Sequence, residues 1–255
     1  MVYRKSPDEI AAMRRGGRVL VDVMNRLEPM VRAGMTTAAL DGLADDFIKE
    51  AGARSSAKTQ GFPGAICISP NDVVVHGVPG SYRLEEGDVV TLDVALFYGG
   101  FHVDTAWTYP VGTVDKGARE LLSTTERALQ AAISMCEPGK RLGDVGWAAQ
   151  KTVEAAGFAV VSRFGGHGIG RKLWEPPTVL NVGPPGRREM LRPGMTIAIE
   201  PITAAGGSQT ELLDDGWTVV TADGSLAAHF EHTVAITPHG YEILTHDPHR
   251  SAAAA

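Results

Sequence analysis

Four acids and one histidine sit where this chain otherwise reads as strand or tight turn. Asp93 and Asp104 interrupt the two apolar runs of VVTLDVALFYGGFHVDTAW (residues 89–107). Glu200 ends MTIAIE just before Pro201, Glu231 interrupts AAHFEHTVAIT, and His167 lies in FGGHGIGR. Asp is depleted from strands, and alternating apolar residues around a Gly-containing turn read as a hairpin. With that turn centred on Tyr98-Gly99, Asp93 and Asp104 face each other directly, their Cβ atoms about 5 Å apart. Two like charges so placed require something positive between them.

Taken singly, a strand acid is usually a solvent-facing residue, and a histidine between glycines is at least as often a turn residue as a ligand. Four acids together are harder to assign to solvent, and buried charges need partners or a metal. Lys and Arg are scarce around the four acids. The set Asp, Asp, His, Glu, Glu, mostly oxygen with one imidazole, suits Mn²⁺, Fe²⁺, Co²⁺ or Zn²⁺ and disfavours the thiolate sites of structural zinc. Carboxylates can also bridge two ions roughly 3.5–4 Å apart, the spacing used in metal-assisted hydrolysis.

The elements that carry these residues have their own signals. Ser6-Pro7-Asp8-Glu9 is a capping box with Pro at the first helical position, so a long helix is predicted from Pro7. A second is predicted from Thr37 to about Ala51, ending before Gly52, with Leu40, Leu43, Phe47 and Ile48 on one face. A shift of 105 then lays RAGMTTAALDGLADDFIKEAG onto EPGKRLGDVGWAAQKTVEAAG, and a shift of 107 lays LEEGDVVTLD onto LRPGMTIAIE, so that Asp93 meets Glu200. Two halves of helices followed by strands make an α+β domain with an internal two-fold. The expectation is one domain over residues 1–250 and a functionless Ala-rich tail over 251–255.

Composition narrows the class. The 255 residues carry a net charge of −6, with 44% hydrophobic and 21% charged residues, ordinary values for a soluble globular protein. No Lys/Arg-rich block points to nucleic acid or an anionic membrane. No apolar run approaches a membrane span, and MVYRKSPDEI has no apolar core for a signal peptide, so the expected compartment is the cytoplasm. Cys67 and Cys136 are far apart and outside any CxxC, which indicates neither a disulfide framework nor a cysteine zinc site.

Together VVHGVPG, GDVVTLDV, GGFHVDTA, GGHGIGR, GMTIAIEP and FEHTVAIT resemble the type I methionine aminopeptidases, dinuclear metallopeptidases of the pita-bread fold, from about Ser6 to Thr245. The resemblance implies two divalent ions: Asp93 chelating one, Asp104 and Glu231 bridging both, and His167 and Glu200 holding the other. It implies Glu200 as the proton shuttle and His76 as the residue that hydrogen-bonds the substrate near the scissile bond. It places Phe62, Cys67 and Trp217 around the methionine side chain, with Phe230 just before the metal ligand Glu231. The substrates implied are peptide N-termini, including nascent chains at the ribosome, and the protein is expected to be a monomer. Set beside that family, the expectation is a protein without the zinc-finger extension of some type I members, the type II insertion or the extra N-terminal domain of prolidases.

Four positions depart from the family pattern. Ser56 and Thr59 replace a Cys and a Tyr, Leu173 replaces an aromatic, and Trp174 stands where the motif GHGIGRxxHE has a histidine that binds substrate. Indole donates one hydrogen bond and cannot shuttle a proton. Two other readings stay open on this evidence: a dipeptidase or Xaa-Pro peptidase on the same fold, and a non-catalytic pita-bread protein that binds a peptide. The complete ligand set speaks against the second, and activity on Met-Ala against Xaa-Pro peptides separates the first.

Overall fold

The structure, a computed structural model, describes residues 2–249; the expected tail, 251–255, lies outside the described residues. The first half runs through helices α1 (Pro7–Leu27) and α2 (Thr37–Glu50), strand β1 (Arg54–Ser55), the short α3 (Ser56–Thr59), β2 (Cys67–Pro70), β3 (Val73–Val75), β4 (Val89–Tyr98) and β5 (Phe101–Pro110). The second half begins with α4 (Lys116–Ser134), α5 (Leu142–Ala155), β6 (Ala159–Val160), β7 (Gly165–Gly168), β8 (Glu175–Leu180) and β9 (Thr196–Ile199). It ends with β10 (Ile202–Ala204), β11 (Thr210–Leu212), β12 (Val219–Thr221), β13 (Ala227–His229), β14 (Glu231–Thr237) and β15 (Gly240–Ile243).

The capping box forms as the sequence predicts: the Ser6 hydroxyl accepts from the Glu9 N–H, and the Glu9 carboxylate accepts from the Ser6 N–H. Helix α2 starts at Thr37, capped by Thr36, and buries Leu40, Ala44 and Ile48. The repeat is visible in the backbone. Gly34 N–H donates to Leu84 O and Leu84 N–H to Met35 O; in the second half Gly139 N–H donates to Leu191 O and Leu191 N–H to Lys140 O. The shift of 105 carries the ends of α2 onto those of α5.

The main sheet has nine strands in the order β1-β4-β5-β14-β9-β7-β8, with β2 also beside β4 and β15 beside β14. Its pairings are antiparallel, and α1 packs on β4 and β5 while α4 packs on β9 and β14. The core behind the sheet draws on both halves, from Met13, Leu20 and Leu27 of α1 to Ile133, Val145 and Ile236. Burying each such Leu or Ile contributes about 1.5–3 kcal/mol, which makes a firm floor for the opposite face.

The hairpin register corrects one expectation. Tyr98 pairs with Phe101, so the turn is Gly99-Gly100, with φ of 58° and 93°. A two-residue turn of type I′ needs positive φ at both central positions, which two glycines adopt freely and a tyrosine does not. Asp93 therefore pairs with Ala106 and Asp104 with Ala95, and the two aspartates are not directly opposed.

Candidate functional site

Register places the acids. Asp93 on β4, Ala106 on β5 and Glu231 on β14 stand in one row across three strands, with Cys67 of β2 on the other side of Asp93. Side chains two residues apart on a strand share a face. Asp104, two residues before Ala106, thus joins Asp93 and Glu231 as a diagonal neighbour. Glu200 follows the last residue of β9, where Ile199 pairs with His232, so it arrives beside Glu231.

Threonine hydroxyls hold β5 against β13 and β14, which carry His229 and Glu231. Thr233 Oγ1 accepts from Asp104 N–H at 3.0 Å and donates to Asp104 O at 2.8 Å, and Thr105 Oγ1 donates to Glu231 O at 2.6 Å. Thr108 Oγ1 accepts from His229 N–H and donates to His229 O, both at 2.9 Å. His167 pairs with Thr178 of β8 just before a bulge. The tautomer that donates Nδ1–H to Gly168 O at 3.0 Å turns the Nε2 lone pair toward Glu200 Oε1, 3.9 Å away.

Electrostatics then ask for a cation. Burial pushes the Asp104 and Glu231 carboxyls well above their usual range, and neighbouring carboxylates add to it: Asp93 and Glu200 on Asp104, and Asp104, Glu200 and Asp93 on Glu231. Burial raises Asp93 as well, partly countered by His229 and His76. For Glu200 burial is outweighed by the facing imidazole of His229, with His167 and His76, and its carboxyl is held below the ordinary value. Asp104 Oδ1, Glu231 Oε1 and His229 Nε2 are buried without a hydrogen-bond partner. Donor atoms of Asp104, His167 and Glu231 lie within 4.8 Å of one another, as do those of Glu200, His229 and Glu231. Two partnerless oxygens and one partnerless nitrogen, set in two triads that share Glu231, fit divalent cations.

Above the acids opens a cavity of about 570 Å³, and every sequence-predicted site residue lines it: Asp93, Asp104, His167, Glu200 and Glu231 at the floor set, with His76, Phe62, Cys67, Trp217 and Trp174. His76 has a left-handed backbone, φ 56°, and packs edge-on to Phe164 at 6.1 Å. Non-glycine residues held there persist only when their surroundings fix them; Gly77 does so, donating to Ser69 Oγ and accepting from Ile68 N–H. Phe62 and Trp217 meet edge to face at 5.4 Å, and Asp215 anchors the Trp217 turn by accepting from its N–H at 2.8 Å. Trp174 is 53% exposed, at the rim, while Leu173 is buried.

The other departures lie outside the cavity lining. Ser56 is buried against His102 Nδ1 at 2.8 Å, and the Thr59 hydroxyl donates to Ser56 O. Phe230 packs edge-on to Trp107 at 5.1 Å as core. Sequence reasoning missed His229 and the threonine braces. AAHFEHT offers two histidines around Glu231 and does not show which one faces the site: His229 ends β13, Glu231 begins β14 after the break at Phe230, and His232 turns to the other face and meets Thr245 Oγ1.

Residues 11–238 match the model of metallopeptidase family M24. The chain belongs to that family. It is 48% identical over 246 residues to a methionine aminopeptidase of Clostridium perfringens, covering 96% of this chain and 99% of that one. The crystal structure of methionine aminopeptidase from Thermotoga maritima superposes with a TM-score of 0.95 at 41% identity, covering 97% of this chain and all of that one. The fold is thus the α+β pita-bread fold expected from the sequence. The prolidase of Pyrococcus furiosus shares only the fold: TM-score 0.78 and 20% identity, with 65% of that chain covered. M24 membership brings divalent-metal binding and peptide hydrolysis, and no helix among the described residues is long and apolar enough to cross a membrane.

Proposed function

We propose that the chain is a metal-dependent aminopeptidase that removes the N-terminal methionine from peptides and nascent proteins with a small second residue. The observation that carries this reading is the meeting of five metal-type donors, a strained histidine and an aromatic pocket in one cavity, in a chain 48% identical to a methionine aminopeptidase. Asp93 would hold one ion, His167 and Glu200 the other, and Asp104 and Glu231 both; the donor set suits Mn²⁺, Fe²⁺, Co²⁺ or Zn²⁺. Such ions, when bound, supply Lewis acidity toward a carbonyl and activate water near neutral pH.

The chain's own residues do the rest. Glu200 takes the proton from the attacking water and delivers it to the leaving amine, a task a carboxylate at the reacting centre can perform. His76, aimed into the cavity, donates to the substrate near the scissile bond. Phe62, Trp217 and Cys67 give the cavity an apolar lining for a methionine side chain, and thioether against aromatic edge adds about 0.3–1.5 kcal/mol. Burial, followed by the nearby Asp93, pushes the Cys67 thiol well up, so it stays a neutral, apolar wall. Trp174 at the rim narrows the space for the second residue. The protein so read is a one-domain (1–250), cytoplasmic monomer acting on peptide N-termini, including chains emerging from the ribosome.

The test is a substrate panel on metal-loaded protein: Met-Ala-Ser, Met-Leu-Ser, Met-Lys-Ser and Ala-Pro-Ser at equal concentration. Release of methionine from the first, with at least tenfold slower cleavage of the others, is expected. Comparable rates on all, or preference for Ala-Pro-Ser, replaces this reading with that of a broader or Xaa-Pro peptidase.

A further inference from the structure

His229 is buried, 2% exposed, and does not line the cavity; it lies behind Glu200 and Glu231, out of reach of a substrate. Its Nε2 points between the two carboxylates, 3.4 Å from Glu200 Oε2 and 3.8 Å from Glu231 Oε2, and has no hydrogen-bond partner. The aim is built in. Thr108 clamps the residue's N–H and carbonyl, Thr91 Oγ1 backs Thr108 at 2.8 Å, and Ile202 of β10 pairs with His229 of β13.

The separations discriminate between two roles. An N–H···O bond brings its heavy atoms to about 2.7–3.2 Å. Donors sharing one divalent ion at about 2.0–2.1 Å stand about 2.9 Å apart at a right angle and about 3.4 Å apart at a tetrahedral one. The 3.4 Å separation equals the tetrahedral value and 3.8 Å corresponds to a wider angle of about 135° at such an ion, and both are longer than a direct bond. We propose that His229 is a metal ligand, joining Glu200 and Glu231 so that the centre holds two imidazoles, His167 and His229. The proposal rests on the divalent-metal reading above and adds a ligand to it. Imidazole favours Zn²⁺, Co²⁺ or Fe²⁺ over Mn²⁺, which prefers oxygen, so His229 biases the site away from Mn²⁺.

The experiment uses metal alone. The full chain, freed of metal and reloaded with Co²⁺, is examined by proton NMR for exchangeable, strongly shifted imidazole N–H signals, one for each ligated histidine. Two signals are expected, one lost in His229→Gln and the other in His167→Ala. Titration calorimetry should show His229→Gln weakening Co²⁺ by at least 10-fold, the lower edge for disturbing residues about a metal, and Mn²⁺ by less. One shifted signal in the unmodified protein, lost only in His167→Ala, overturns the proposal and leaves the metal reading intact. So does His229→Gln with unchanged Co²⁺ affinity. Absence of any Co²⁺ binding overturns both. The signal count is read on the unmodified chain, so a folding failure of His229→Gln does not remove the test.

Discussion

Gly166→Ala perturbs the site without touching a charged or polar side chain. Gly166 precedes His167 on β7, and a Cβ there would fall inside the contact radius of the Ala198 carbonyl oxygen, 2.9 Å from its carbon and 3.2 Å from Val179 Cβ. Ordinary contact is 3.4–4 Å, and the obstacle is backbone of β9 and a side chain of β8, neither of which can swing away. The strands must part by about 1 Å, carrying His167 from Glu200, and a misplacement of that size costs about 10²-fold in rate. Overpacking of this kind also costs about 1–3 kcal/mol, which lowers Tm by about 2–4 °C per kcal/mol in a chain of this size. The assay pairs kcat/KM on Met-Ala-Ser with Co²⁺ affinity and a melting curve. A folded variant with activity and affinity within twofold of the parent refutes the claim that the β7–β9 spacing sets the donor geometry.

Asp104→Ala, which removes a proposed shared ligand, should lose bound metal by elemental analysis and at least 10³-fold in activity; two retained ions would refute the assignment. Trp174→His should raise kcat on Met-Ala-Ser about tenfold, part of the 10²–10³ that one preorganised donor is worth. Unchanged rate and selectivity would place that side chain away from the substrate. Asp223 accepts from the N–H groups of Gly207 and Ser225, which hold its carboxyl down at about 2. A depressed acid stabilises the fold above its unfolded value of 3.8 and loses that contribution as pH falls through the folded value. Asp223→Asn should therefore melt lower than the parent at pH 6 in metal-free protein, the gap closing between pH 4 and about 2; a gap constant over that range contradicts the assignment.

What the sequence could reveal followed from how local the cause was. Ser6 to Glu9 start α1 through bonds within four residues, and Gly34, Leu84 and their counterparts recur because both halves solve the same packing problem. The hairpin was legible but its register was not. Moving the turn by one residue, from Tyr98-Gly99 to Gly99-Gly100, moves each partner by two and keeps the face, so Asp93 and Asp104 still meet, diagonally. His229 was hidden because AAHFEHT offers two histidines around Glu231, and only the break at Phe230 between β13 and β14 shows which ring turns inward. The braces Thr105, Thr108 and Thr233 reach across more than 120 residues of chain, a distance no local pattern encodes.

The most direct test of the central claim is methionine release followed as metal is removed and restored. Chelator-treated protein should be inactive on Met-Ala-Ser and bind about two Co²⁺ per chain, with methionine release recovering as the ions return, in line with two-metal hydrolysis. Full activity in protein shown by elemental analysis to be metal-free, or binding of metal without any methionine release, would contradict the account.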